Sequence, residues 1–169
     1  MEAVTLIDLL RRADIQVTTA SLEPGPVHCS RGMVLLADTE LDAVLDQDFD
    51  LILLPGGLPG ADHLMHDSRI QTLLRQQAED GRLVGAICAA PKALAAAGLL
   101  SGRKATAYPG VLDAIGDATI QATGDAVTWD GNVVTSRGPG TAMDFALSLI
   151  ERLKGRAVRN GVEAALVRN

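Results

Sequence analysis

Aromatic side chains are scarce in this chain of 169 residues, which contains one tryptophan, one tyrosine and two phenylalanines. Aliphatic residues and alanine must therefore fill the core of any fold that it adopts. No apolar run reaches the roughly 20 residues that a membrane-spanning helix needs, so we expect no membrane insertion. The chain has only two cysteines, Cys29 and Cys88, and they do not form a C-x-x-C motif. This cysteine usage predicts a reduced, cytoplasmic compartment.

Runs of basic residues are also missing, and the formal net charge is −6 at pH 7. This charge argues against a nucleic-acid-binding protein, whether general or sequence-specific. The three histidines, His28, His63 and His66, have no partners at the spacing of a metal site. His63 and His66 could share a helix face, where we expect them to be polar surface residues. We expect neither a metal nor an organic cofactor.

Strand and helix patterns alternate along the sequence. Strands are predicted over 15–20, 27–29, 33–36, 49–54, 83–87, 104–108, 126–129 and 132–135, and the strand over 49–54 is apolar enough to be buried on both faces. Helices are predicted over 2–13, 41–45, 68–80, 91–98, 142–154 and 157–167, with Ser68 as the N-cap of the third. This order predicts a single α/β domain over 1–169, with a mostly parallel, doubly wound sheet between layers of helices. Such a fold usually opens with a buried strand, whereas this chain opens on a helix, so we expect that either the sheet starts with Ile15 or its first strand is missing.

Cys88 lies where an apolar strand meets a helix. Small residues on both sides, Ala86, Ala89 and Ala90, allow a sharp turn, and Pro91 suits the first turn of the helix. This is the pattern of a nucleophile elbow, although the G-x-S-x-G motif of serine hydrolases is absent. A thiol at a helix N-terminus faces unpaired N–H groups that favour the thiolate. A buried cysteine that acts only as a small apolar residue is the alternative.

A second strand end is expected beside this elbow. Pro55-Gly56-Gly57 follows the strand over 49–54, and ligands bind at the carboxyl ends of parallel strands. Paired glycines expose backbone N–H groups, so Gly57 and Ala89 could form an oxyanion hole near the sulfur. Arg137 also follows a strand and could bind an anion. The base that would serve Cys88 stays open between one of the three histidines and Glu2.

Six segments together resemble a known protein family. They are E-A-V at 2–4 with I-D-L-L-R-R at 7–12, C-S-R-G at 29–32, L-P-G-G at 54–57, A-I-C-A-A-P at 86–91 and T-S-R-G-P-G-T at 135–141. In this order they resemble the ThiJ/PfpI superfamily, and within it the bacterial YajL branch. The resemblance spans essentially the whole chain and implies a flavodoxin-like domain that forms a homodimer.

The resemblance also implies a set of site residues. Cys88 would be the reactive thiol, Glu2 the carboxyl group that hydrogen-bonds its sulfur, and Gly57 and Ala89 the backbone donors. Residues near the substrate pocket would be Gly56, Arg31, Arg137, Pro139 and Tyr108. Arg31 and Arg137 would also lie near the dimer seam, with Cys29 as a peripheral cysteine there.

Members of this superfamily are described as glyoxalases, deglycases, chaperones and oxidative-stress sensors. We therefore expect a cofactor-free enzyme that acts on small aldehydes or early glycation adducts through a Cys88 hemithioacetal. The alternative is a redox-sensing chaperone whose Cys88 becomes oxidised. A peptidase is disfavoured, because the protease branch places histidine directly after the cysteine and Ala89 stands here. No histidine follows Cys88, and Tyr108 occupies a region where a relative carries one, so catalysis by a histidine base is not expected.

Overall fold

Short strands and helices alternate along the chain, as the sequence predicts. The computed structural model describes residues 1–167, so the last two residues of the predicted domain lie outside it. Its helices are α1 (Glu2–Arg12), α2 (Gly60–His66), α3 (Ser68–Glu79), α4 (Pro91–Ala96), α5 (Val111–Ile115), α6 (Ala142–Lys154) and α7 (Arg156–Ala165), and 3-10 turns span Leu41–Val44 and Pro139–Thr141. Its strands are β1 (Ala20–Ser21), β2 (Val27–His28), β3 (Val34–Leu35), β4 (Thr39–Glu40), β5 (Leu51–Leu54), β6 (Leu83–Ile87), β7 (Lys104–Ala105), β8 (Gln121–Ala122), β9 (Val127–Asp130) and β10 (Val133–Ser136).

The central sheet contains β5, β6, β10 and β9, in that order. Strand β6 pairs in parallel with both β5 and β10, and β9 folds back antiparallel against β10. The turn of this last hairpin uses Gly131 in the left-handed region, at φ 62°. The predicted α/β fold with a mostly parallel sheet is confirmed.

The core lies around β6, the central parallel strand. Gly85 in this strand has no side chain, and a Cβ there would lie 2.6 Å from Leu53 and 3.3 Å from Phe145. Phe145 belongs to α6 and is fully buried. Because glycine lets α6 and the neighbouring strand approach so closely, the position of β6 is tightly fixed. The end of this strand carries Cys88.

Strand β5 is less buried than predicted. Leu51, Ile52 and Leu53 are only partly buried, and Leu54 alone is buried. The reason is the place of β5 at the outer edge of the four-stranded sheet, with β6 on one side only. The expectation of burial on both faces was therefore wrong.

Two predicted strands are much shorter than expected. The strand predicted over 15–20 begins only at Ala20, where β1 pairs with β4 in a separate small sheet. The strand predicted over 104–108 ends at Ala105, where its pairing with β8 ends. A strand is stable only where a neighbour satisfies its backbone groups. In both cases the apolar pattern covers more residues than the two that pair with a neighbouring strand.

The helix at 68–80 begins as predicted but is capped by a different residue. The carboxylate of Asp67 accepts hydrogen bonds from the backbone N–H of Arg69 at 2.9 Å and of Ile70 at 3.4 Å. Asp67 is therefore the N-cap, and Ser68 is the first helical residue. Helices α2 and α5 were not predicted, since both are short.

Residues 1–167 contain no helix that is both long enough and apolar enough to span a membrane. Within the same residues, no cluster of three or more histidine, cysteine or acidic side chains is placed to hold a metal ion.

Candidate active site

Cys88 lies at a strained turn directly after β6. Its φ of 64° falls in the left-handed region, which residues other than glycine seldom occupy. Two backbone hydrogen bonds hold this conformation: the N–H of Cys88 donates to the carbonyl of Ser136 at 3.0 Å, and its own carbonyl accepts from the N–H of Tyr108 at 2.8 Å. The structure thus has the elbow geometry that the small residues around Cys88 indicate.

The two glycines after β5 lie against this elbow. A Cβ on Gly56 would come within 2.6 Å of the Cβ of Cys88, so only glycine fits there. Gly57 has a φ of 92°, which also favours glycine. The N–H groups of Gly57 and Ala89 both hydrogen-bond the sulfur of Cys88, and each lowers the pKa of the thiol. The predicted oxyanion donors are therefore together at the sulfur.

Glu2 reaches the same sulfur from a distant part of the sequence. It opens α1, whose buried residues Leu6, Leu9 and Leu10 hold the helix against the core. The carboxyl group is itself buried, with 8% of the residue exposed. It forms a hydrogen bond with Cys88 and is the ionisable side chain that acts on the thiol. The structure therefore places Glu2, rather than a histidine, in the position of a base.

The surroundings of Cys88 shift the pKa of its thiol in both directions. Burial, followed by the charge of Glu2 and the hydrogen bond to its carboxylate, raises the pKa of the thiol to about 11. The N–H groups of Ala89 and Gly57 act in the opposite direction but are outweighed. Helix α4 starts only at Pro91 and is short, so its dipole adds little. Burial and Glu2 therefore act against the thiolate that the local pattern favours, while the two backbone donors act for it.

Three of the predicted substrate-binding residues line one pocket of about 290 Å³ beside the elbow. They are Tyr108, Arg137 and Pro139. Tyr108 is linked to Cys88 through its N–H, and Arg137 follows the Ser136 carbonyl that Cys88 bonds. The guanidinium group of Arg137 donates to the carbonyl of Gly124 at 2.8 Å, which holds it at the rim. Cys88 itself does not line this pocket, which is joined to the elbow through these backbone contacts.

Arg31 does not line this pocket. It is exposed on the turn between β2 and β3, and the neighbouring Ser30 approaches the other side of the site. The hydroxyl of Ser30 would lie 3.4 Å from a Cβ on Gly57. Sequence reasoning did not single out Ser30. The C-S-R-G segment that contains it was the available signal.

The histidines lie away from the thiol chemistry. His63 and His66 are exposed on α2, and His66 Nδ1 lies 2.8 Å from the carbonyl of Asp62. His28 is exposed on β2. The predicted surface position of His63 and His66 is confirmed.

Sequence reasoning also missed an ion pair between Asp62 and Lys92. Lys92 follows Pro91 and is the single charged residue in α4. A lone lysine in an otherwise apolar helix needs a partner, and that was the signal that could have found the pair.

The model of the DJ-1/PfpI family matches residues 1–152. The chain belongs to the DJ-1/PfpI family. The crystal structure of Drosophila melanogaster DJ-1beta superposes with a TM-score of 0.95 at 42% identity, covering 99% of this chain and 91% of that one.

Two curated relatives of this family member come from a nematode and a plant. The Caenorhabditis elegans protein named glutathione-independent glyoxalase DJR-1.2 is 36% identical over 162 residues, which are 96% of this chain and 86% of that protein. Protein DJ-1 homolog A of Arabidopsis thaliana is 43% identical over 169 residues, which are 99% of this chain. The chain spans 43% of that plant protein's length.

Proposed function

We propose that this protein is a cofactor-free enzyme that converts methylglyoxal and similar small aldehydes into hydroxy acids. The observation that carries the proposal is the surroundings of one buried thiol, where Cys88 contacts a carboxyl group and two backbone donors. The nematode relative named a glyoxalase adds support. We extend the proposal to early glycation adducts, which form from the same aldehydes, and we keep the placement in the YajL branch and the cytoplasm as predictions.

The first step joins the thiol to the aldehyde. The sulfur of Cys88 attacks the aldehyde carbon while its proton passes to the carboxylate of Glu2. The electron pair of the C=O double bond moves to the oxygen, where the N–H groups of Gly57 and Ala89 bind the developing oxyanion. Glu2 then returns the proton to this oxygen, which gives a neutral hemithioacetal. A thiol with a pKa of about 11 needs such a base, because few thiolates exist at neutral pH.

The second step moves hydrogen between neighbouring carbons. The carboxylate of Glu2 removes the proton from the hemithioacetal carbon, and the freed electron pair forms a C=C bond to the adjacent ketone carbon. The C=O pair of the ketone moves to its oxygen, which takes the proton from Glu2, and an enediol results. Glu2 then takes the hydroxyl proton of the carbon bound to sulfur and delivers it to the adjacent carbon, so that this hydroxyl becomes the C=O of a lactate thioester with Cys88. Water then cleaves the C–S bond, which releases lactate and restores the thiol. No electron leaves the substrate overall, so no redox cofactor is required.

We propose that the pocket lined by Tyr108, Arg137 and Pro139 binds the polar end of such a substrate. Arg137 supplies a positive charge that favours the forming carboxylate, and Tyr108 and Pro139 supply apolar surface. The pocket is small and open, which fits a small aldehyde or an exposed adduct on a protein or nucleotide.

Turnover of methylglyoxal by the purified full chain tests the proposal, with lactate measured by NMR. We expect lactate formation that Cys88→Ser reduces at least about 1000-fold, since the nucleophile is lost. Glu2→Gln should also lose most activity, whereas Cys29→Ser should retain it. The proposal is wrong if the wild-type chain forms no lactate, or if Cys88→Ser forms it at the wild-type rate.

The second candidate is a redox-sensing chaperone, which the two backbone donors favour. The N–H groups of Gly57 and Ala89 could bind the oxygens of a sulfinate on Cys88. Peroxide reacts with thiolates, however, and the raised pKa makes thiolates rare at neutral pH. This slows oxidation and makes the enzyme the better-supported candidate. Peptide mass spectrometry after graded peroxide treatment separates them: rapid, selective oxidation of Cys88 without lactate formation would favour the sensor.

A further inference from the structure

An ion pair joins α2 and α4, the two helices that follow the site residues Gly57 and Cys88. The ammonium group of Lys92 donates to the carboxylate of Asp62. Lys92 lies on α4, the helix that follows Cys88, and Asp62 lies on α2, the helix that follows Gly57. The Lys92 side chain is only 18% exposed, and that of Asp62 is 43% exposed. A lysine so far from water needs an anionic partner, which fixes the two helices relative to each other.

Backbone hydrogen bonds connect each end of this ion pair to the sulfur. On one side, the N–H of Ala61, the residue before Asp62, donates to the carbonyl of Gly57 at 2.8 Å. Ala61 is fully buried, so this first turn of α2 cannot shift freely. On the other side, the N–H of Ala90 donates to the carbonyl of Ile87 at 3.1 Å, across Cys88 itself. The N–H of Ala93, the residue after Lys92, donates in turn to the carbonyl of Ala90 at 2.8 Å, so Lys92 is joined to the elbow.

We propose that Asp62 and Lys92 are positioning residues that hold the N–H of Gly57 at the sulfur of Cys88. Neither side chain contacts the reacting atoms. The ion pair sets the distance between α2 and α4, and α2 carries the Gly57 donor through the Ala61 hydrogen bond. The importance of this ion pair for turnover rests on the proposed function, whereas its effect on the pKa of Cys88 does not.

The direction in which two substitutions shift the pKa of Cys88 distinguishes a positioning role from an effect of charge alone. If the pair acts only through long-range charge, Lys92→Met removes a cation and raises the pKa of Cys88, whereas Asp62→Ala removes an anion and lowers it. If the pair positions Gly57, both substitutions loosen the same hydrogen bond to the sulfur. That bond lowers the pKa, so both substitutions raise it. A positioning role therefore predicts that the pKa of Cys88 rises in both variants, although one loses a positive charge and the other a negative charge.

The experiment measures the alkylation rate of Cys88 by iodoacetamide at pH 9, in the full chain with Cys29→Ser as background. Only the thiolate reacts, so an increase of about half a pKa unit slows alkylation about threefold. We expect this slowing in Lys92→Met, in Asp62→Ala and, without further loss, in the double variant. Asp62→Asn keeps an oxygen that accepts from Lys92 and should restore part of the rate.

The matched control is Arg82→Met. Arg82 precedes β6, at the opposite end of the strand from Cys88, and pairs with Asp48 and Asp80. The Arg82→Met variant loses comparable ion pairs and should leave the alkylation rate of Cys88 unchanged. Thermal unfolding shows whether each variant is folded during the assay. If Lys92→Met is unfolded, the direction of the change in alkylation rate in Asp62→Ala decides alone. Faster alkylation of Asp62→Ala, or rates equal to that of the control, would overturn the proposal.

Methylglyoxal turnover gives a second reading. Loss of positioning should lower kcat about tenfold in Lys92→Met and Asp62→Ala, with KM within twofold, because a displaced donor acts on the oxyanion more than on substrate binding. A wild-type chain without turnover would contradict the proposed function only, since alkylation needs no aldehyde. Normal turnover with unchanged kcat in both variants would contradict the positioning role only.

Discussion

Gly56 and Cys88 are packed so closely that a Cβ on the glycine would lie 2.6 Å from the Cβ of the cysteine. The same Cβ would lie 2.7 Å from the carbonyl oxygen of Ile87, which belongs to the rigid end of β6. Neither neighbour is the far end of a flexible side chain. The loop after β5 must therefore move if Gly56 gains even one methyl group.

Gly56→Ala should damage both stability and activity. The added methyl group pushes the Gly57 donor away from Cys88, and overpacking of this kind costs about 1–3 kcal/mol of unfolding free energy. We expect methylglyoxal turnover to fall about 100-fold. Urea unfolding and lactate formation measure the two effects. Gly161→Ala is the control, since nothing lies within 4 Å of a Cβ there. Equal stability and activity of both variants would contradict this account of Gly56.

Glu2→Gln should make Cys88 more acidic while it lowers turnover. The substitution removes the negative charge and the carboxylate acceptor, both of which raise the pKa of the thiol. That pKa should move from about 11 towards its ordinary value of 9.0. Iodoacetamide alkylation at a series of pH values measures the shift. A thiol that becomes less reactive in Glu2→Gln would show that the carboxyl group has another role.

Stability should decline at high pH because of Cys88. The folded protein keeps the thiol proton up to a pKa of about 11, whereas the unfolded chain loses it near 9.0. Between these values the unfolded state binds fewer protons, so the unfolding free energy falls as pH rises, by roughly 2–3 kcal/mol in all. Cys88→Ser does not titrate there and should show a smaller decline in urea unfolding. Identical pH dependence of the two proteins would contradict the raised pKa.

Asp67→Ala should reduce stability without changing the site. Asp67 caps α3 and pairs with Arg69, and the Arg69 hydrogen bond above all holds the pKa of its carboxyl group below the ordinary value of 3.8. We expect a loss of about 1–2 kcal/mol of unfolding free energy at pH 7. The wild-type advantage should shrink as pH falls through the lowered pKa. Exposed Asp113, replaced by alanine, is the control. Slower alkylation of Cys88 in Asp67→Ala would contradict a purely structural role.

The predicted homodimer has a candidate surface on the β2–β3 hairpin. Val27, Met33, Val34 and Leu36 expose between 41% and 80% of their surface there. Apolar side chains grouped in this way favour contact with a partner, and the family resemblance predicts a second copy. Sedimentation should give a dimer at micromolar concentration and a monomer for Val34→Lys. A monomeric wild-type chain would refute the prediction.

The local geometry of the site was largely predictable from the sequence. Small residues around Cys88 indicate a sharp turn, and two glycines after a strand indicate exposed N–H groups, so the elbow and its donors follow from residue size. The contact between Glu2 and Cys88 is different. The residues alone left Glu2 as one of several candidate bases, and only the family resemblance selected it, because α1 must first pack on the core.

The remaining errors share one physical cause, which is that neighbours distant in sequence decide burial and charge. Leu51 to Leu53 are as apolar as a central strand, yet the order of the sheet leaves them at an edge. Cys88 has the local signals of a thiolate, yet burial and Glu2 outweigh them. Asp62 and Lys92 lie far apart in the sequence, and only the fold brings them together.

The backbone of Cys88 bonds to Ser136 through its N–H and to Tyr108 through its carbonyl. Three parts of the chain are thus joined at a residue whose side chain takes no part in the joining. Because these bonds use only backbone atoms, the junction does not depend on the atom that the side chain of residue 88 carries. The scaffold can therefore gain new reactivity at one position without being rebuilt around it.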